Sequence, residues 1–338
     1  MSRLHKFAIF LFLVLAVASI WFITFWYYAL TKPLLFQSSS QVFEMQRGDT
    51  LQGVAFKLHE QGILPYPRLL VWFARLNGDS ERLKAGEYGI TAGMTPLELL
   101  ANMVVGRVYL HQIQFIEGWT FPELLQALEN EPTLKHTLQG VSTQQVMMKL
   151  GSINLHPEGQ FFPDTYFFIR GNTDISILKM SYNRMNSVLS KEWDLRDKNV
   201  TYKDPYEALI IASLIEKETA TPQERPQIAG VILRRLKQGI RLQVDPTVVY
   251  GLNKSYGYLL TKADLRSYTP YNTYRYYGLP PTPIDMPSEA SIKAALHPDQ
   301  NQETLFYVSR GDGTHQFSMT YQEHQKAVDK YILKKSTE

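Results

Sequence analysis

The chain opens with an apolar run and then changes to amphipathic patterns. From Phe7 to Thr31 the sequence FAIFLFLVLAVASIWFITFWYYALT runs 25 residues without a charge. At about 1.5 Å per residue such a helix exceeds the roughly 30 Å hydrocarbon core of a bilayer, so it can span with some tilt. Ala16-Val17-Ala18 has the small-x-small form of a signal-peptidase site. The apolar run nevertheless continues through Trp21, Phe22, Ile23, Phe25 and Trp26, which a cleaved signal has no reason to carry, so the segment reads as a retained anchor. Arg3 and Lys6 precede it and Lys32 follows it, which predicts a cytoplasmic tail at 1–6 and export of the rest. Trp21, Trp26, Tyr27 and Tyr28 suit the outer membrane–water interface.

Beyond a linker at 32–41, one device recurs. Gly48-Asp49-Thr50, Gly93-Met94-Thr95 and Gly118-Trp119-Thr120 each set a turn glycine two residues before a threonine that can cap a helix. Glu98 and Glu123 stand three residues after their threonines and complete capping boxes. The pattern predicts strand, turn and helix, used three times. A strand begins at Val42, and Leu51, Val54, Ala55 and Leu58 share one helix face. A helix over 69–76 follows Pro65-Tyr66-Pro67, a strand covers 85–90, and a helix starts after Thr95 and ends near Gly106. This small β/α module spans 42–106, and a strand from Val108 leads into a larger domain over 107–338. The middle, 126–199, reads as mostly helical with an interruption at 156–168, HPEGQFFPDTYFF. That segment is either an ordered cleft wall or a surface loop packing its own aromatics.

The clearest helix is 205–218. Asp204-Pro205-Tyr206-Glu207 is a start signal, and Pro222 pushes Thr221 out of the α region, so the helix stops near Thr219 or Ala220. Thr221-Pro222-Gln223-Glu224 repeats the start signal for a helix that Gly239 ends. The first of these helices is apolar up to Glu216-Lys217-Glu218. At about 100° per residue Glu218 lies near the azimuth of Ile211, between Leu214 and Ile215, while Glu216 points nearly opposite. The macrodipole opposes negative charge at this end, and burial beside Ile and Leu raises a carboxyl pKa further. A carboxyl kept protonated near neutral pH is what a general acid requires. A solvated helix end carrying EKE is the plainer alternative.

Further on, Gln243, Asp245 and Thr247 alternate as one polar face of an extended segment, opposite Leu242, Val244 and Val248. Asp245-Pro246 can equally open a turn. From Tyr268 to Ile284, YTPYNTYRYYGLPPTPI interleaves aromatic rings with amide and hydroxyl groups, a composition suited to carbohydrate. Arg310-Gly311-Asp312 is most simply part of a hairpin turn, with Gly311-Asp312-Gly313 between FYVS and THQFS.

Composition narrows the classes. Hydrophobic residues make up 44% and charged residues 20%, which is globular. A net charge of +3 without a dense Lys/Arg stripe argues against nucleic acid as a partner. The absence of cysteine excludes disulfides, a thiol nucleophile and Cys-ligated zinc, and the eight histidines lack metal-ligand spacing, so neither metal nor cofactor is expected.

EALIIASLIEKET, followed in order by RLQVDPTVVYGL, YNTYRYYGLPPTPI and AALHPD, closely resembles the YceG-like (MltG) family of endolytic murein transglycosylases. So do the anchor and Pro163-Asp164-Thr165-Tyr166. The resemblance implies an α+β chain with a single transmembrane helix, a LysM-like module at 42–106 and a YceG-like catalytic domain at 107–338. It implies cleavage of the MurNAc–GlcNAc β-1,4 bond of nascent peptidoglycan, leaving 1,6-anhydro-MurNAc ends and terminating strand elongation at the inner membrane. The family's essential acid, the second Glu of E-K-E-T, falls on Glu218. Gln243, Asp245, Tyr271, Asn272, Tyr274 and Asp164 are the expected glycan contacts, with Asp245 as helper. The sequence has QVDPT where QTDPT is common, and Val244 makes that face less polar. Penicillin-binding peptidoglycan synthases are the implied partners. The contrasting readings are a tethered, non-catalytic peptidoglycan-binding scaffold and a hydrolase that uses water.

Overall fold

The computed structural model describes residues 3–35, 40–255 and 257–333; residues 36–39 of the expected linker lie outside them. The chain is a mixed α/β protein with one long apolar helix at its start. Its contacts divide it into two compact units, Met1–His111 and Gln112–Glu338.

The first unit contains α1 (Arg3–Thr31), β1 (Ser40–Met45), α2 (Leu51–Glu60), α3 (Pro67–Leu76), β2 (Gly86–Thr91) and α4 (Pro96–Val105). Strands β1 and β2 pair antiparallel, with Val42 opposite Gly89 and Met45 opposite Gly86. The capping residues read from sequence act as expected. The Thr50 hydroxyl accepts from the Gly53 N–H, Thr95 and Glu98 form a capping box, and Gly106 ends α4 at φ 82°. Leu51, Val54, Ala55 and Leu58 of α2 are all buried, with Leu70 of α3, Leu99 of α4 and Ile90 of β2. The end of α1 belongs to the same core: Ala29, Leu30 and Leu34 are buried in it. Backbone bonds fasten the chain there, from Leu34 N–H to Met94 O at 2.8 Å and from Leu35 N–H to Ile63 O at 3.0 Å.

The second unit runs from β3 (His111–Gln114), which straddles the boundary, through α5 (Phe121–Glu129), α6 (Thr143–Lys149), β4 (Thr165–Phe168), α7 (Asp174–Asp194), α8 (Pro205–Glu218), α9 (Arg225–Lys237), α10 (Asp245–Gly251), α11 (Glu289–Leu296), β5 (Phe306–Ser309) and β6 (His315–Ser318) to α12 (Tyr321–Val328). Its axis is α8. Ala208 to Ile215 are buried without a break, and α7, α9, α10 and α11 pack around them. A helix apolar on all sides must be enclosed, and each buried Leu or Ile contributes roughly 1.5–3 kcal/mol. Asp204 caps it through the Glu207 N–H at 3.0 Å, and Thr219 leaves it in extended conformation at φ −146°. β5 and β6 form an antiparallel hairpin, Tyr307 opposite Phe317, with the Gly311-Asp312-Gly313 turn between them.

Several local expectations change. The stretch 126–199 is less helical than its pattern suggests: β4 falls inside the interruption and pairs with β3, and no helix covers 130–142. α9 begins at Arg225 rather than at Pro222, because the Glu224 carboxylate turns away to His315 instead of capping the helix. Gln243, Asp245 and Thr247 do not share a polar strand face. Asp245 opens α10, and Thr247 is buried, its hydroxyl bonded to Val244 O and paired with the Thr273 hydroxyl.

The interruption itself packs as a wall, with Pro157 to Pro163 buried and Phe161 stacked on Phe121 at 5.3 Å. Gly159 allows this at φ +77°, where an added Cβ would stand 2.5 Å from Pro283 Cβ. Gly159→Ala is therefore expected to destabilise the fold by about 2 kcal/mol or more, since both the left-handed backbone and a rigid proline ring oppose it. Urea denaturation measures the change.

Candidate active site

Glu218 is the last residue of α8, where the enclosed helix emerges at a cleft of about 690 Å³. Its side chain is surrounded by protein but keeps part of its surface open to that cleft. Burial pushes its pKa up to about 8, and the negative charge of Asp245 adds to the rise; the Tyr307 hydroxyl, donating to the carboxyl, pulls the other way. The carbonyl end of α8 adds to the rise, because its partial negative charge disfavours a carboxylate.

Asp245 reaches the cleft from the first turn of α10, and the Tyr274 hydroxyl donates to its Oδ1 at 2.5 Å. Two phenols thus hold the two carboxyls, Tyr274 on Asp245 and Tyr307 on Glu218. The buried Arg235 guanidinium keeps the elements that carry them in place. It donates to Leu305 O next to β5 at 2.6 Å and to Leu242 O before α10 at 2.8 Å, and it lies 4.9 Å from the centre of the Phe306 ring. Glu224 gives a second tie: it accepts from the His315 N–H at 2.7 Å and from the Thr219 hydroxyl at 3.2 Å, joining the end of α8 to the hairpin.

Across the cleft stands Glu158, 1% exposed. It accepts from the Tyr250 hydroxyl and the Phe121 N–H, each at 2.9 Å. Burial nevertheless pushes its pKa up to about 7. Lys217, also on the cleft wall, donates to Gly118 O at 2.5 Å. Behind it Asp285 is wholly buried, and burial holds its carboxyl well above the usual range although the Lys217 charge opposes this. Glu216, on the other side of α8, accepts from the Ser288 N–H at 2.9 Å and from its hydroxyl, so it braces the start of α11.

This arrangement is a cleft lined by Glu218 and Glu158, two carboxyls whose proton affinity burial raises, with Asp245 beside them. A family model for the YceG-like family matches residues 43–330. The chain belongs to the YceG-like family. It is 30% identical over 331 residues to the endolytic murein transglycosylase of Bacillus subtilis (strain 168), covering 91% of this chain and 89% of that protein. It is 24% identical over 321 residues to proteins of the same name from Streptococcus pneumoniae strains D39 and R6, covering 85% of this chain and 58% of theirs. A crystal structure of a putative yceG-like protein from Listeria monocytogenes superposes with a TM-score of 0.55 at 25% identity, covering 86% of this chain and all of that one.

The structure of this YceG-like chain brings some of the expected residues together and separates others. Glu218 and Asp245 share the cleft, and Tyr274 supports Asp245. Gln243 is exposed just before α10 in left-handed backbone, φ 55°, with its Oε1 accepting from Arg235 at 3.3 Å. Tyr271 stands behind the wall, edge-on to Tyr250 at 4.9 Å, with its hydroxyl paired to Thr282. Asn272 is buried away from the cleft: its Nδ2 donates to Leu265 O and Ser267 O, and its Oδ1 accepts from the Tyr274 N–H. Asp164 is exposed and accepts from its neighbour Thr165 N–H, and it is not among the residues lining the cleft.

Glu158, Tyr250, Lys217, Arg235 and Tyr307 were not singled out from sequence as site residues. Arg235 had a legible signal, since it continues the buried stripe Ile228, Ile232 on α9, where a cation requires partners. Glu158 lies in the loop whose aromatic density marked a possible wall. Nothing in the sequence points to Tyr250 or Tyr307, because both reach the site by long-range packing.

The pair of influences on Glu218 has opposite signs. Asp245→Asn removes a negative charge and lowers the Glu218 pKa from about 8, whereas Tyr307→Phe removes a donor to the carboxylate and raises it. Carbon-13 NMR titration of labelled glutamate carboxyls reads both shifts.

Proposed function

We propose that this chain is a membrane-anchored endolytic murein transglycosylase in which Glu218 is the sole acid–base group. The observation that carries this reading is an acid lining a cleft, kept protonated up to about pH 8 by burial, in a chain of the YceG-like family. Protonated Glu218 gives its proton to the glycosidic oxygen as the C1–O bond of MurNAc breaks. Positive charge then develops at C1 and the ring oxygen, and the Asp245 carboxylate beside Glu218 favours it electrostatically. Glu218, now a carboxylate stabilised by the Tyr307 hydroxyl, takes the proton of the C6 hydroxyl as O6 closes on C1. The products are a 1,6-anhydro-MurNAc end and a GlcNAc with a free 4-hydroxyl. The proton taken from C6 restores Glu218 and no water is consumed, so one carboxyl suffices where most glycosidases need two.

In the same proposal α1 is the anchor, with the amino end cytoplasmic and the remainder extracytoplasmic. Residues 42–106 form the LysM-like module and 107–338 the catalytic domain. Gln243 and Tyr274, beside Asp245, contact the glycan; Tyr271, Asn272 and Asp164 serve it indirectly, through the wall and loops they hold. Cleavage of nascent strands terminates their elongation, in company with penicillin-binding synthases.

Digestion of nascent glycan with the purified chain, followed by mass analysis of the ends, tests the reading. Anhydro ends are expected; reducing ends would identify a hydrolase, and intact strands a binder. Glu218→Gln is expected to lower the rate by about 10³-fold or more while the protein stays folded. The reaction begins from the protonated acid, so the wild-type rate falls as pH rises through about 8. Stability changes over a lower and wider window, between 4.5 and about 8. The folded chain keeps the Glu218 proton up to about 8 whereas the unfolded chain releases it near the ordinary value of 4.5, so the stabilising contribution fully present below 4.5 is lost progressively as pH rises from there and is gone above about 8. Glu218→Gln is therefore more stable than wild type at pH 9, by about 1–2 kcal/mol once contact with cleft water is allowed for. Thermal melts at pH 5 and 9 measure the difference.

A further inference from the structure

Helix α3 has two apolar faces, and only one is used by the fold. Leu70, Val71 and Ala74 are buried in the core of the first unit. At about 100° per residue, Trp72, Leu76, Leu69 and Phe73 occupy the neighbouring arc of the helix. Leu69 and Phe73 are partly covered, but Trp72 is 64% exposed and Leu76 is 71% exposed. Arg68 and Arg75, both exposed, flank this arc on the Trp72 side. An arc of Trp and Leu bordered by arginine is unfavourable in water and suits a bilayer interface, where the indole sits at headgroup level and the guanidinium reaches outward.

The position of α3 says which surface covers that arc. The helix packs directly against α1, and its capping residue Tyr66 meets Phe25 of α1 edge-on, ring centres 5.2 Å apart. Trp26 packs against the same core. Counting about 20 residues for a hydrocarbon core from Phe7, the far boundary of the bilayer falls near Trp26. Tyr66, and with it the start of α3, therefore stands at the depth of that boundary. The bonds from Leu34 to Met94 and from Leu35 to Ile63 leave no slack between the exit of α1 and the helices beside it.

We propose that the Trp72–Leu76 face of α3 rests in the outer interface of the bilayer that α1 crosses, so that the first unit is seated on the membrane rather than tethered above it. The proposal rests on the reading of α1 as a spanning anchor. The seat is an extension of the lipid-facing surface of α1, with Phe25 and Tyr66 at the junction.

The chain has no cysteine, so single cysteines can carry a nitroxide spin label without background. The full chain is reconstituted in phosphatidylcholine–phosphatidylglycerol vesicles with Trp72→Cys or Leu76→Cys. Phe12→Cys, within α1, is the lipid reference, and Gln322→Cys, exposed on α12, is the water reference. Collision rates with oxygen, which concentrates in lipid, and with a water-soluble nickel chelate are compared. The expected result is an oxygen-to-nickel ratio at 72 and 76 several-fold above that at 322 and approaching that at 12. A ratio at 72 and 76 equal to that at 322, with position 12 in lipid, overturns the seat and leaves the anchor standing. That outcome would also hold if a protein partner covered this face. A water-like ratio at position 12 overturns the anchor reading and the seat together. Both substituted side chains are largely exposed, so neither change removes core packing.

Discussion

The structure depends on the enclosure of α8. A helix with an unbroken run of buried residues from Ala208 to Ile215 can offer a polar group to solvent only at its ends. Its amino end is closed by Asp204 and Pro205, so the carboxyl end is where the core meets a cleft. A carboxyl placed there has aliphatic neighbours on the helix side and the helix carbonyls beneath it, and both make its charged form costly. The proton affinity of Glu218 is therefore a property of the whole core, since α7, α9 and α11 keep water from the helix that carries it.

The same geometry separates the two glutamates of Glu216-Lys217-Glu218. They are two residues apart, hence on opposite sides of the helix. Glu216 meets Ser288, where the N–H and hydroxyl at the start of α11 welcome a carboxylate, and it lies 3.6 Å from Arg225. Glu218 meets a phenol and another carboxyl. One glutamate is thus structural and stays hydrogen-bonded within the fold, and the other faces the cleft. Lys217, between them in azimuth, bonds Gly118 O on the loop before α5.

Much of this was legible in the sequence, because the informative signals were local. Caps at Thr50, Thr95 and Asp204, the stop before Pro222, the glycine ends and the hairpin turn all depend on residues within four positions of one another. The azimuth of Glu218 followed from helix geometry alone. Three kinds of information were not local. The polar face of Gln243, Asp245 and Thr247 fitted a strand by alternation, but Pro246 and the Thr273 hydroxyl favoured a helix start, which turned Thr247 inward. The amide of Asn272 looked free to bind a ligand, yet a loop folding back on itself satisfies it. Tyr307 and Tyr250 meet Glu218 and Glu158 across sequence separations of roughly 90 residues, and no periodicity records such a meeting.

The buried arginine explains how so much distant chain converges at the site. Arg235 bonds backbone carbonyls on both sides of the site, Leu305 next to the hairpin and Arg241 and Leu242 before α10. Carbonyl partners hold a guanidinium without neutralising it, so its positive charge remains in the neighbourhood of Tyr307 and Tyr274. Those phenols are the groups that touch the two carboxyls. Burial raises both phenols above their ordinary values, which keeps them protonated as donors throughout the pH range in which Glu218 changes charge. In the proposed reaction the acid loses its proton and regains it without these phenols changing state, and the carboxylate formed in between is met by a hydroxyl already in place. A cation in direct contact with Glu218 would have favoured the carboxylate at rest and removed the proton that the proposed reaction needs. Arg235 instead acts one layer back, through backbone and phenol.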